Sequence, residues 1–170
     1  MKKFFIFSAI IILSLNSYSQ VSYYKGEWTK INNQSNFSGT LKLEIMDTIV
    51  TADILWTYIA IDSTDKASME YYQNKKGRMG IEYIKGKYSP ITHDFIFEGI
   101  SKTDPDLIIG LDKYILKLSL NKQVIYGETY SNGDKDGLAF FIRNNDPNLI
   151  KEMEEMKNKL IRRTQDSVFK

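Results

Sequence analysis

The chain has 170 residues, with 23 basic and 21 acidic side chains and no cysteine. The lack of cysteine excludes disulfides, a thiol nucleophile and a lipid-modified cysteine. A near-neutral charge without a basic block argues against nucleic acid or anionic lipid as the main partner.

Residues 1–19 have the pattern of a secretory signal peptide. Two lysines and an apolar run over residues 4–15 precede the small residues Ser17 and Ser19, which predict cleavage before Gln20. The run is shorter than the ~20 residues that a membrane-spanning helix needs, so an uncleaved anchor is the weaker alternative. We expect a periplasmic or secreted protein without a membrane span in the mature chain. Its 21 remaining basic residues, after loss of the two lysines from 23, equal the 21 acidic ones.

Segments with alternating apolar and polar residues then predict eight β-strands. The alternation is clearest where Leu41, Leu43 and Ile45 are separated by polar side chains. In chain order, the strands are expected at residues 26–31, 39–46, 49–61, 80–88, 94–101, 107–119, 124–130 and 137–143.

The segment 62–79 interrupts this alternation. It is rich in Asp, Ser, Thr, Lys and Asn, ends in the basic run Lys75-Lys76-Gly77-Arg78, and predicts an exposed loop with a helical turn near residues 66–72. Loops of this length in compact domains are often functional, although a plain connection explains the segment equally well.

The stretch 107–119 carries a carboxylate on its inward face. Its lysines place one face of the strand next to water, so the other face, which includes Asp112 and Tyr114, points inward. Glu82 falls on the inward face of the strand at 80–88 in the same way.

Short links between the strands predict antiparallel pairing of sequence neighbours. Eight strands can close into an up-and-down barrel without free edges, and that all-β fold is the one we expect for residues 20–144. An open sheet or a two-sheet sandwich is the alternative.

The last segment, 145–170, changes to a helical period. Asp146 can cap a helix and Pro147 suits its first position, and apolar residues then recur every three or four positions. We expect an amphipathic helix from Pro147 to Thr164 that packs on the outside of the barrel, with contact to a partner as the alternative.

Eight meandering strands followed by a helix resemble the lipocalin-like arrangement of the calycin barrels. Gly26-Glu27-Trp28 resembles the Gly-x-Trp of that superfamily's first strand, and Arg143 matches the arginine that in the family lies over the tryptophan. The short strands are similar to those of the compact avidin-like barrels. The resemblance implies that Gly26, Trp28 and Arg143 close the barrel, and that function lies inside it or at its open mouth.

Glu82 and Asp112 are the candidate binding carboxylates, because both point inward near the same rim. The aromatic walls expected around them are Tyr114, Tyr88, Trp56 and Tyr58. Such a set suits a small polar or cationic ligand. The alternative is that a carboxylate lies in water at the mouth or pairs with one of three cations, Arg78, Lys102 or Lys113. A face assignment shifted by one residue would turn both carboxylates outward.

The sequence offers little support for an enzyme. Two carboxylates ~6.5–9.5 Å apart would suit an inverting glycosidase, but nothing else argues for one. His93 is the only histidine and has the sequence context of a turn, and no Gly-x-Ser-x-Gly motif occurs. We therefore expect an exported, non-catalytic protein that binds a small polar or amphipathic molecule without a metal or cofactor. The alternative is a protein-interaction or inhibitor module of the cell envelope, with a side-chain-filled barrel, that uses the 62–79 loop or the C-terminal helix.

Overall fold

The computed structural model describes residues 19–31, 36–60 and 66–168, so the predicted signal peptide lies almost wholly outside it. Eight antiparallel strands form a closed barrel in chain order, and a long helix follows the last strand. The elements are β1 Gln20–Lys30, β2 Asn36–Met46, β3 Ile49–Ala60, α1 Lys66–Tyr72, β4 Met79–Tyr88, β5 Asp94–Thr103, β6 Lys113–Leu118, β7 Val124–Ser131, β8 Asp134–Arg143 and α2 Pro147–Val168.

Pairing of the first strand with the last closes the barrel. β1 pairs with β8 from Tyr24 opposite Arg143 to Lys30 opposite Gly137. Gly26 lies within this seam, where a Cβ atom would overlap the carbonyl oxygen of Phe140. The predicted up-and-down barrel is therefore confirmed, and the open sheet and the sandwich are excluded.

The connections differ between the two ends of the barrel. One end, the turn end, holds the start of β1, the end of β8 and the turns at 47–48, 89–93 and 119–123. The other end, the loop end, holds the β3–β4 connection, the segment 104–112 and the turn at 132–133.

The starts of β1 and β6 differ most from the positions that the sequence pattern predicted. β1 starts at Gln20 instead of Gly26, because residues 20–25 pair in register with residues 40–45 of β2. β6 starts at Lys113 instead of Leu107, and Gly110 is exposed instead of lying in an inward row.

Asp104 explains the late start of β6. Its buried carboxylate accepts hydrogen bonds from the backbone N–H groups of Ile108, at 3.0 Å, and Ile109, at 2.9 Å. The ammonium group of Lys102 donates to the carbonyl oxygen of Ile109. These backbone groups are thereby satisfied without a strand ladder, so residues 104–112 form an irregular segment.

Aromatic side chains occupy much of the barrel's interior. Phe37 makes edge-to-face contacts with Trp28 and Tyr58, with ring centroids 5.5 Å and 5.2 Å apart. Such pairs add about 0.5–1.5 kcal/mol beyond the burial of their area. The other buried aromatic residues of this core are Tyr24, Trp56, Phe95, Phe97, Tyr114 and Phe141.

The C-terminal helix packs on the outside of the barrel, as predicted, and ends four residues later than expected. The Asp146 carboxylate accepts from the Asn148 N–H at 2.9 Å and so caps the helix. Met153 and Leu160 are buried against Leu55 and Ile81, on the outer side of β3 and β4. In the described part of the chain, no helix is long and apolar enough to cross a bilayer.

Candidate functional site

Glu82 lies inside the barrel near the loop end, and only 1% of its surface is exposed. Its Oε2 atom accepts from the Tyr114 hydroxyl at 2.5 Å and from the Trp56 indole N–H at 3.1 Å. Its Oε1 atom accepts from the backbone N–H of Asp112 at 3.3 Å. The strand pattern places these residues together, because β3, β4 and β6 turn the side chains inward at one level. We call Trp56, Glu82 and Tyr114 the Glu82 cluster.

The partners of the Glu82 carboxylate are neutral donors. Two of the three cations that the sequence suggested as partners pair elsewhere: Lys102 with Asp104, and Arg78 with Asp106. Burial therefore dominates and raises the pKa of Glu82 to about 7, although the three hydrogen bonds oppose this shift. Burial, with the nearby Glu82 charge, also raises the pKa of Tyr114 well above its usual range.

Gly99 provides the space in which the Glu82 carboxylate sits. A Cβ atom at Gly99 would overlap Oε1 of Glu82 and approach the backbone of Leu111 and Asp112. Gly99 lies on β5, between β4 and β6, and its lack of a side chain leaves a gap inside the barrel. Glu82 itself fills that gap and reaches the Asp112 backbone instead of its side chain.

Asp112 lies at the rim, in an open groove of about 480 Å³ at the loop end. Within the described residues, no hydrogen bond or ion pair engages its carboxylate. Burial and the charge of Asp136 raise the pKa of Asp112 to about 6, and the charge of Lys30 opposes them. The groove's other main lining residues are Glu98, Leu111, Lys113, Tyr130 and Asn132.

Sequence reasoning missed most of these groove residues. Asn132 and Gly133 both have positive φ, at 52° and 92°, as the tight turn of a hairpin requires. The Asn-Gly pair could have placed this turn, and with it Tyr130, beside the start of β6. The irregular path of residues 104–112, which brings Leu111 to the groove, left no such signal.

Tyr58 lies nearer to the mouth of the loop end than the Glu82 cluster. Its ring stacks on Tyr72 of α1, with centroids 5.1 Å apart, and its buried hydroxyl has no hydrogen-bond partner. Tyr71 and Lys75 both donate to the carbonyl oxygen of Leu107. The predicted helical turn in the 62–79 loop is confirmed, and this helix lies against the mouth instead of extending freely into solvent.

Tyr88 is not part of this site. It lies at the turn end, where its hydroxyl bonds to Nδ1 of His93 at 2.9 Å and its ring stacks on Phe95 at 4.7 Å. The alternation rule assigned its face but could not assign its height, because β4 runs through the whole barrel from the loop end to the turn end.

Trp28 and Arg143 do not make the contact that the resemblance implied. Trp28 pairs with Ala139 and donates its indole N–H to Thr129 at 2.7 Å, whereas Arg143 pairs with Tyr24 and points to Ser22 at 3.4 Å. Four residues of an extended strand separate the two levels by roughly 13 Å. Their role in closing the barrel remains a prediction.

Comparison with known proteins returned no relative. No family model matches the chain, and neither a curated protein nor a solved structure matches it. The calycin resemblance therefore stays a prediction that rests on topology and on Gly26, Trp28 and Arg143.

Glu82 and Asp112 differ in their access to solvent. In the described residues, no group of three or more His, Cys, Asp or Glu side chains has a geometry that could hold a metal ion. The Glu82 carboxylate is buried and already accepts hydrogen bonds, while the Asp112 carboxylate is open to the groove. An incoming donor or cation could therefore reach Asp112 without disturbing the barrel.

Proposed function

We propose that this is an exported binding protein that holds a small organic cation in the groove at the loop end. The proposal is carried by the Asp112 carboxylate, which lines the groove and has no partner in the described chain. A partly buried carboxylate without a partner is costly, and a protonated amine or a quaternary ammonium group would satisfy it.

The groove has a suitable size and lining for such a ligand. Its volume of about 480 Å³ falls within the range that small-molecule sites occupy. Leu111 and Ile115 offer apolar contact, and the Tyr130 ring offers a face for a cation. The Glu82 cluster lies behind this surface and fixes the backbone at Asp112, so the carboxylate is held in place before a ligand arrives.

The first prediction concerns binding by Asp112. With choline, putrescine and spermidine as probes, and glucose as a neutral comparison, we expect at least one amine to bind the wild-type chain. Loss of the charge in Asp112→Asn should weaken that binding about tenfold, or ~1.4 kcal/mol. Isothermal titration calorimetry at pH 7.5 measures the effect.

Asp47→Asn is the matched control, because it removes one carboxylate from an exposed turn at the opposite end of the barrel. Asparagine also tolerates the positive φ of 59° at this position. Equal affinity in Asp112→Asn and the wild type would exclude the site, and an affinity lost in both variants would point to a general charge effect.

The second candidate function is a protein-interaction module. The outer surface of β5–β8 exposes a row of large apolar side chains, each between 42% and 52% exposed: Ile96, Ile115, Tyr126, Leu138, Phe140 and Ile142. We call this row the apolar outer face. Such contiguous patches are typical of interfaces. The stripe of α2 is already buried against β3 and β4, so the helix offers less apolar surface than these strands.

The occupant that suits the apolar outer face best is a second copy of this chain. Charges of both signs occur at this face. Lys25 and Glu27 border it on β1. Lys117 and Glu128 lie among its apolar side chains, where they pair with Tyr126 and Ile115. Two identical faces related by a two-fold axis can therefore match opposite charges, whereas a strongly acidic or basic partner would meet repulsion.

The second prediction tests this self-association. Sedimentation velocity should detect dimers of the wild-type chain at concentrations near ~100 µM, in the weak range expected for a modest interface. Phe140→Lys, which places a charge opposite Tyr126 of the face, should give monomers. Ile91→Lys changes a residue that is 89% exposed in a turn and should leave the dimer intact. A wild-type chain that stays monomeric would exclude this function.

A further inference from the structure

Arg143 ends β8 at the turn end of the barrel, and its guanidinium is poorly hydrogen-bonded. Its backbone N–H donates to Gln123 at 2.7 Å, which fixes the end of β8. Its guanidinium reaches the Ser22 hydroxyl at only 3.4 Å, and its Nε atom is buried without a hydrogen-bond partner. Among the described residues, no carboxylate forms an ion pair with it. A partly buried cation without a partner is costly to the fold.

A small cavity adjoins this guanidinium. It has a volume of about 80 Å³, and its polar lining comes from Gln20, Ser22, Tyr24, Tyr88, Lys122 and Arg143. Among the lining residues that the structure describes, two are cations and none is a carboxylate. Ser22 and Tyr24 lie on the inward face of β1, and both are buried. Hydrogen-bond donors and positive charge thus meet in one small, partly open pocket.

Tyr24 and Tyr88 bring hydroxyl groups to the same cavity. Burial raises the pKa of Tyr24, while the nearby positive charge of Arg143 and a hydrogen bond with Ser22 oppose the rise. Tyr88 is held by its hydrogen bond to His93 and its stacking on Phe95. Burial also raises the pKa of Tyr88, so both phenols are neutral at physiological pH. The Tyr24 hydroxyl can therefore donate a hydrogen bond to an anion.

We propose that this cavity binds a small oxyanion, either inorganic phosphate or the carboxylate group of an organic acid, with Arg143 as its main ligand. A volume of about 80 Å³ corresponds to two or three water molecules, which fits a group of a few heavy atoms but excludes a bulky ligand. A guanidinium edge suits the planar or tetrahedral oxygens of such groups. The exposed Lys122 adds positive charge at the entrance.

This site is separate from the groove of the proposed function. Arg143 and Lys122 lie at the turn end, while Asp112 lies at the loop end of the same barrel. The two proposals also require ligands of opposite charge. Failure of either one therefore leaves the other untouched.

The test is a calorimetric titration of the full chain, expressed through its export route, with sodium acetate and separately with sodium phosphate. Ionic strength is held constant with sodium chloride, so that general screening does not contribute. We expect saturable binding of one anion per chain at millimolar or lower concentration. The anion that binds more tightly distinguishes a carboxylate ligand from phosphate.

Arg143→Gln should weaken this binding at least tenfold, because it removes the charge and the guanidinium fork. Arg162→Gln, a change of the same kind on the exposed side of α2, should leave the affinity unchanged. Lys122→Gln should weaken binding two- to fivefold, and since Lys122 is exposed in a turn, this variant tests the site even if Arg143→Gln fails to fold. The proposal is overturned if neither anion shows saturable binding, or if Lys122→Gln and a folded Arg143→Gln both bind like the wild type.

Discussion

Replacement of Glu82 by alanine is expected to lower the free energy of unfolding by about 3 kcal/mol. The carboxylate accepts from Tyr114, Trp56 and the backbone of Asp112, and alanine would leave these three donors without an acceptor. Each buried donor that loses its partner costs about 1–3 kcal/mol, and the vacated volume adds to the loss. Relief of the burial penalty on the carboxylate offsets part of this cost.

Urea denaturation followed by far-ultraviolet circular dichroism measures the effect without relying on the fluorescence of Trp56. Glu27→Ala is the control, because Glu27 is exposed on the outer face of β1, and its loss should cost less than ~0.5 kcal/mol. A Glu82→Ala protein as stable as Glu27→Ala would show that the Glu82 cluster does not support the barrel.

The second large effect is a fall in stability as the pH rises from 5 to 8. The pKa of Glu82 is about 7 in the folded chain against an ordinary value of 4.5, so the folded state binds the proton more tightly. This contribution is fully present below the unfolded-state pKa and is lost as the pH rises through the folded-state pKa. One pKa unit corresponds to ~1.4 kcal/mol, so the loss approaches about 3 kcal/mol.

Asp112 also lowers the free energy of unfolding as the pH rises, but over a lower range of pH. Its pKa of about 6, raised mainly by burial, makes its contribution disappear as the pH passes 6. Because its carboxylate is partly open to solvent at the groove, its contribution is smaller than that of Glu82. Glu128, whose pKa is lowered by its bonds to Lys135 and Tyr130, acts in the opposite direction but only at more acidic pH.

Urea denaturation at pH 5, 6, 7 and 8, at constant ionic strength, tests this prediction. Glu82→Gln should reduce the fall in the free energy of unfolding in the upper part of this pH range. Asp112→Asn should reduce it in the lower part. Glu27→Gln should leave the slope as it is in the wild-type chain. A wild-type protein whose stability rises with pH over this range would contradict the assignment of a raised pKa to Glu82.

Local patterns were sufficient to predict the strands, the barrel and the inward position of Glu82. Alternation along a strand depends only on the two-residue period of the backbone, so Glu82 and Tyr114 were assigned correctly to the interior. The closed form follows because eight short-linked strands otherwise leave two unpaired edges. The capped start of α2 needs only Asp146 and Pro147, which are adjacent in the chain.

Local sequence patterns could not predict contacts between residues that are distant in the chain. The late start of β6 depends on the Asp104 carboxylate, which lies outside that strand and competes for its backbone N–H groups. The placement of Tyr72 on Tyr58 likewise depends on where α1 lies over the mouth. The predicted contact of Arg143 with Trp28 was wrong because their relative height depends on the register between β1 and β8.

The amino-acid sequence by itself determined the all-β barrel, the C-terminal helix, the lack of cysteine and the inward carboxylate, because each depends on composition or on a short-range period. The tertiary structure decided that Glu82 is satisfied by neutral donors, that Asp112 opens to a groove and that Arg143 lies beside a cavity without an ion-pair partner among the described residues. Those three features depend on register, height and the paths of irregular segments. Strand periodicity carries no information about any of them, because it repeats identically along the whole length of each strand.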